Sequence, residues 1–218
     1  MAYRLVIGNR NYSSWSLRPW LLLKQAGIPF SEVSISLYTP ESKAQRLAYS
    51  PAGKVPVLVD GDVTVWDSLA IFEYLAERHP GLKLWPQAVA ERALARSICA
   101  EMHSGFMELR THMPMNCNKR FPGKGHTTEV LQDVARIVGI WQDCRAMHAA
   151  SGHFLFGHFT IADAMYAPVV LRFRTYAVDL PAESQAYADA ILALPAMQEW
   201  LAAAAAEGQT IADFEPYS

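Results

Sequence analysis

At 218 residues, with 51% apolar and 18% charged residues, the chain has ample material for a packed core and lacks the charge excess of a disordered segment. A formal net charge of -2 gives no basic field for nucleic-acid phosphates and no polybasic surface for anionic lipid, so neither is expected as a partner. The length exceeds an average domain and sets two as the working count.

The first 80 residues mix strand and helix signals. A β-rich run over 3–8 closes at Gly8-Asn9, and apolar residues at helical spacing over 16–26 stop at Gly27, with Ser16 expected to cap that helix. Over 31–36, Val33 and Ile35 alternate with serines as in a half-buried strand, and 40–49 reads as a weaker helix. Val57-Leu58-Val59 and Val63-Thr64-Val65 flank Asp60-Gly61-Asp62, a tight-turn signal for an antiparallel hairpin. Asp67-Ser68 then caps a helix running to about His79, with Leu69, Phe72 and Leu75 on one face. The order is βαβαββα.

Two prolines and Gly81 within 80–87 read as a linker, and the remainder reads as helices over 89–116, 128–149, 160–176, 182–192 and 196–206. Thr160-Ile161-Ala162-Asp163 is a capping-box variant before an apolar helix. The expected organisation is a domain over 1–80, a linker over 81–87 and a helical domain over 88–218. Cys99, Cys117 and Cys144 are odd in number, widely spaced and without a CxxC pair, which fits reduced core thiols and suggests neither a disulfide framework nor a metal site. The short apolar run over 5–7 is interrupted by Arg4 and Arg10, and no window approaches the ~20 residues of a membrane span, so a cytoplasmic protein is expected.

This α/β plus all-α pattern, a thioredoxin-like βαβαββα domain followed by an all-helical one, resembles the cytosolic glutathione S-transferases of the serine type, closest to bacterial zeta- and theta-like members. Four motifs carry the resemblance and together span nearly the whole chain. They are the 11–18 segment Asn-Tyr-Ser-Ser-Trp-Ser-Leu-Arg, the Val-Pro turn at Val55-Pro56, Asp67-Ser68 at a helix start, and Thr160-Ile161-Ala162-Asp163.

The resemblance implies glutathione as co-substrate, a small electrophile as the second substrate, no metal, and a homodimer. It implies a cis Val55-Pro56 bond presenting the Val55 main chain to the cysteinyl part of glutathione, as an added strand would. The γ-glutamyl carboxylate then meets the Ser68 N–H and hydroxyl at a helix N-terminus, Asp67 meets the γ-glutamyl ammonium, and Lys54 pairs with the glycyl carboxylate. An ordinary thiol has pKa ~8.5, whereas a hydrogen bond to a charged acceptor contributes ~1.5–3 kcal/mol, so one hydroxyl donor can lower that pKa by one or two units. Ser13 is the first choice for this donor, with Ser14 and Tyr12 as alternatives and Arg18 as the arginine of the motif. Met102, His103, Phe106 and Arg110, on the first helix of the second domain, are candidate walls of the electrophile site.

The expected activity is glutathione transfer to small electrophiles, with a role in detoxification. The alternatives are a glutathione-dependent cis–trans isomerase, a non-catalytic binding protein of the same fold, and a thioredoxin-type redox protein, the last disfavoured by the missing CxxC. Thr175 stands where zeta-class isomerases carry an arginine for the substrate carboxylate, leaving Arg172 or Arg174 as substitutes.

Overall fold

The computed structural model describes residues 3–218; Met1 and Ala2, included in the first expected domain, lie outside the described residues. The N-terminal elements are β1 (Tyr3–Ile7), α1 (Ser14–Gln25), β2 (Phe30–Ser34), α2 (Ser42–Leu47), β3 (Val57–Asp60), β4 (Val63–Trp66) and α3 (Ser68–Arg78). Their sheet runs in the order β2-β1-β3-β4, with β1 parallel to β2 and antiparallel to β3, and β3 antiparallel to β4. The hairpin turns through Gly61, whose φ of +58° is open to glycine at no steric cost. Side chains alternate across the pleat: Leu5, Ile7 and Leu58 enter the main core, while Val6 and Val57 form a smaller cluster with Ile35 on the other face.

The remaining helices are α4 (Val89–Ser104), α5 (Met107–His112), α6 (Thr128–His148), α7 (Ile161–Tyr176), α8 (Ala182–Ala193) and α9 (Pro195–Ala206). Every residue of α7 except Arg174 is buried, which explains its lack of an amphipathic stripe: it is the central helix, packed against both α1 and α4. Its capping box forms, with Asp163 accepting from the Thr160 N–H at 2.8 Å, the Thr160 hydroxyl at 3.0 Å and the Leu155 N–H at 3.0 Å. Arg18, almost fully buried, ties α1 to α7 by donating from Nε to the Met165 carbonyl at 3.1 Å.

Two sequence expectations are corrected. The single helix over 89–116 is broken: Gly105 is extended, Phe106 is left-handed at φ +59°, and Pro114 follows α5 directly after Met113. Ser16 is not the cap of α1. That position belongs to Ser13, whose Oγ accepts from the Ser16 N–H at 3.3 Å, while Ser16 Oγ turns inward to accept the Gly8 N–H at 3.0 Å.

Candidate active site

The loop between β1 and α1 is folded by the Asn9 carbonyl, which accepts from the N–H groups of Tyr12 at 3.2 Å and Ser13 at 2.8 Å. This turn delivers Tyr12, Ser13, Ser14 and Trp15 to the wall of a cavity of about 450 Å³ at the N-terminus of α1. The three hydroxyls differ in what they are free to do. Ser13, besides capping the helix, donates to Ser16 Oγ at 2.7 Å. Tyr12 donates to Glu215 Oε1 at 2.6 Å, and burial together with that carboxylate raises its pKa. Ser14 accepts from Arg172 Nη2 at 3.4 Å, and its own hydrogen has no partner among the described residues.

An adjoining groove of about 670 Å³ shares Trp15, Lys54 and Val55 with this cavity and adds Pro56, Asp67, Ser68 and His103. The Val55-Pro56 bond is cis. Among the described residues no hydrogen bond engages the Val55 main chain, since sheet pairing begins at Val57. At the start of α3, Asp67 sits at φ +75°, a conformation costing a non-glycine residue ~1–3 kcal/mol, and its Oδ1 accepts from Leu69 N–H at 2.8 Å. Asp67 Oδ2 meets His103 Nε2 at 2.7 Å, so both carboxylate oxygens already have a partner inside the chain. Ser68 is fully buried, and its hydroxyl has no partner among the described residues although it borders the groove. A buried hydroxyl left open costs ~1–3 kcal/mol, and with the Ser68 N–H, the one first-turn N–H of α3 that Asp67 does not take up among the described residues, it can receive an anion.

The candidate electrophile residues are split by the break after α4. Arg110 lines the first cavity and His103 the groove, whereas Met102 and Phe106 are buried in the core and line neither. Trp15 stands between the cavities, with the Arg18 guanidinium 4.3 Å and the Arg110 guanidinium 4.9 Å from its ring centroid and His103 edge-on at 5.3 Å. Thr175 is buried and donates to the Asn116 carbonyl at 2.7 Å, away from the cavity lining. Of the two arginines weighed as substitutes, Arg172 lines the cavity; Arg174 borders a separate surface hollow beside α8. Burial, then the charge of Arg110, pushes Arg172 down to about 9, and burial also lowers Arg110.

Sequence reasoning missed Trp15, Arg46, Tyr38 and Phe214 as wall residues. Phe214 comes from the C-terminal tail, where no periodicity marks it. It packs on Tyr12 and Tyr38, with ring centroids 5.8 and 5.5 Å away, and the adjacent Glu215 anchors the tail through Tyr12, Lys119, Asn116 and Ser218.

The thioredoxin-like sheet thus presents a main-chain edge at Val55 without sheet pairing, an unpartnered buried hydroxyl at the start of α3 and a loop hydroxyl at the start of α1. The N-terminal glutathione S-transferase domain model matches residues 12–78, and the C-terminal glutathione S-transferase domain model matches 86–203. The chain belongs to the glutathione S-transferase family and is a glutathione transferase with glutathione as its co-substrate. It is 32% identical to a probable maleylacetoacetate isomerase of Caenorhabditis elegans over 174 residues, 78% of each chain. It is 28% identical to glutathione S-transferase 3 of Zea mays, covering 84% of this chain and 86% of that one. In fold it is similar to a glutathione transferase homolog from Burkholderia solved with bound glutathione, at a TM-score of 0.72 and 21% identity, covering 95% and 100% of the two chains. It is also similar to the theta-class enzyme of Xanthomonas axonopodis pv. citri, at 0.64 and 23%, covering 92% and 97%.

Proposed function

We propose that Ser14 stabilises the glutathione thiolate, with Ser13 holding the helix cap beneath it and Tyr12 anchoring the tail. The observation that carries this assignment is the division of labour among hydroxyls: Ser13 and Tyr12 donate within the chain, whereas the Ser14 hydrogen is uncommitted and its oxygen receives a guanidinium N–H. One such bond, with the N-terminus of α1, is sufficient to lower the thiol pKa by about one to two units. The tripeptide lies with its cysteinyl main chain against Val55 and Pro56, its γ-glutamyl carboxylate on Ser68, its ammonium toward Asp67 and its glycyl carboxylate toward Lys54. Arg110 and His103 face the second substrate, and Met102 and Phe106 support that wall from the core.

The test is the bound thiol's titration, followed by thiolate absorbance, in Ser13→Ala, Ser14→Ala and Tyr12→Phe. Ser14→Ala is expected to raise the thiol pKa by about one to two units and lower turnover at neutral pH correspondingly. If Ser13→Ala does so and Ser14→Ala does not, the donor is Ser13.

A second reading, glutathione-dependent cis–trans isomerisation, is favoured by the resemblance to the nematode isomerase and by an arginine, Arg172, in the cavity. Turnover of maleylacetone alongside an electrophile panel separates it from transfer. A domain division at 1–80, 81–87 and 88–218, a homodimer, a cytoplasmic location and a detoxifying role complete the proposal. Sedimentation at micromolar concentration tests the dimer.

A further inference from the structure

The contact between Asp67 and His103 ties the start of α3 to the last turn of α4, with Nε2 of the imidazole 2.7 Å from Oδ2 of the carboxylate. An ionised carboxylate only accepts, so Nε2 carries the hydrogen and donates it. The pair is half-exposed, with 28% of the His103 and 43% of the Asp67 side chain open to solvent, and such pairs add little to the stability of a fold. The backbone is nevertheless strained around it. Asp67 stands at φ +75°, and Phe106, three residues beyond His103, at φ +59°, conformations that persist only where the surroundings impose them. Gly105 lies so close to the preceding turn that a Cβ would meet the Glu101 carbonyl oxygen at 2.8 Å. Arg110 holds this break by donating to the Met102 and Gly105 carbonyls at the end of α4, and its guanidinium lies on the Trp15 ring, which meets the His103 ring edge-on. The imidazole is thus fixed by the end of α4 and by Trp15.

We propose that His103 is a positioning residue for glutathione: it locks the Asp67 carboxylate in the orientation that receives the γ-glutamyl ammonium. The inference rests on the placement of glutathione proposed above. Oδ1 of Asp67 already accepts from Leu69 N–H at 2.8 Å and Ala70 N–H at 3.5 Å, whereas Oδ2 accepts from His103 alone and keeps a lone pair in a residue that lines the groove. Bonds on both oxygens stop the carboxylate from turning about its Cβ–Cγ bond, so the ordering is complete before the ligand arrives. Whatever the His103 ring offers the second substrate, its bonding nitrogen serves the first. The break after α4 and the strain at Asp67 then share one purpose, bringing a donor of the helical half of the chain onto a carboxylate of the thioredoxin-like half.

Calorimetry with glutathione and with its des-amino analogue, which lacks only the ammonium, tests this in wild type, His103→Leu, His103→Gln and Asp67→Asn. Wild type is expected to prefer glutathione about 10-fold or more. His103→Leu should lose most of that preference by weakening glutathione alone, raising its KM while kcat at saturating glutathione stays within about twofold. His103→Gln, which keeps an N–H donor, should retain the preference to within about threefold, and adding Asp67→Asn to His103→Leu should cost nothing further. The inference is overturned if His103→Leu keeps the wild-type preference, weakens both ligands alike, or is matched in its loss by His103→Gln. If His103→Leu does not fold, His103→Asn, whose donor falls short of Asp67, takes its place with the same expectations. The reading beneath is tested separately. An Asp67→Asn that abolishes the preference while His103→Leu preserves it removes the role of His103 alone; an Asp67→Asn that leaves the preference intact removes the ammonium from Asp67, and the inference with it.

Discussion

Replacing Asp163 by asparagine tests whether the buried cap of α7 is a carboxylate held in spite of its burial. Asp163 has no solvent exposure, and burial raises its pKa from an ordinary 3.8 to about 6, even though Leu155 N–H, Thr160 N–H and the Thr160 hydroxyl all favour the charged form. Because the folded-state value is the higher one, the native state binds the proton more tightly than the unfolded chain does. The resulting stability is fully present below pH 3.8 and is lost as the pH rises through about 6. A rise of that size corresponds to about 3 kcal/mol. Asparagine cannot ionise, but it faces the Thr160 N–H with an amide donor on one side, at a cost of ~1–3 kcal/mol. Urea unfolding of both proteins from pH 4 to 7 should therefore show the variant gaining on wild type by about 2.4 kcal/mol over that interval, starting from a deficit. Parallel stability curves over the interval would refute the reasoning, because they would mean that the carboxyl titrates alike folded and unfolded.

Ser68→Ala removes a hydroxyl that has no protein partner, so glutathione affinity should fall about 10-fold in calorimetry while the melting temperature stays close to wild type. A drop in melting temperature with unchanged affinity would make Ser68 a packing residue. Tyr12→Phe deprives Glu215 of its 2.6 Å donor; burial alone would raise that carboxyl, yet bonds from Lys119, Tyr12 and Ser218 hold it down at about 2. Hydrogen exchange over 211–218 should accelerate by an amount equivalent to about 1.5–3 kcal/mol, with the bound thiol pKa unmoved. A raised thiol pKa would instead make Tyr12 the thiolate donor. Burial pushes the Cys117 and Cys144 thiols up to about 12 and also raises Cys99 well above the ordinary thiol range, so a disulfide reagent at pH 8 should label none of them in the native protein and all three after unfolding. Rapid labelling of the native chain would contradict the burial of all three.

The amino-acid sequence by itself determined what is local. The period-two runs at Val57–Asp60 and Val63–Trp66, the capping residues at Asp67 and Thr160, and the Val55-Pro56 and Asp67-Ser68 motifs specify strands, helix starts and the proposed glutathione end of the site through neighbouring residues. These signals act over a few residues and so survive in one dimension. The break at Gly105 and Phe106 was hidden because an apolar helical rhythm continues across it, and only packing shows that the chain turns there. The roles of three adjacent hydroxyls were equally hidden. Ser13 was distinguished by its bond to Ser16, Tyr12 by a carboxylate 203 residues away, and Ser14 by an arginine 158 residues away. No spacing rule encodes such partners: hydrogen-bond competition for a buried hydroxyl is settled by whatever the fold brings within about 3 Å. The same holds for the guanidiniums of Arg110 and Arg172, which the sequence separates by α6, the segments on either side of it and most of α7, and which the tertiary structure brings to one cavity.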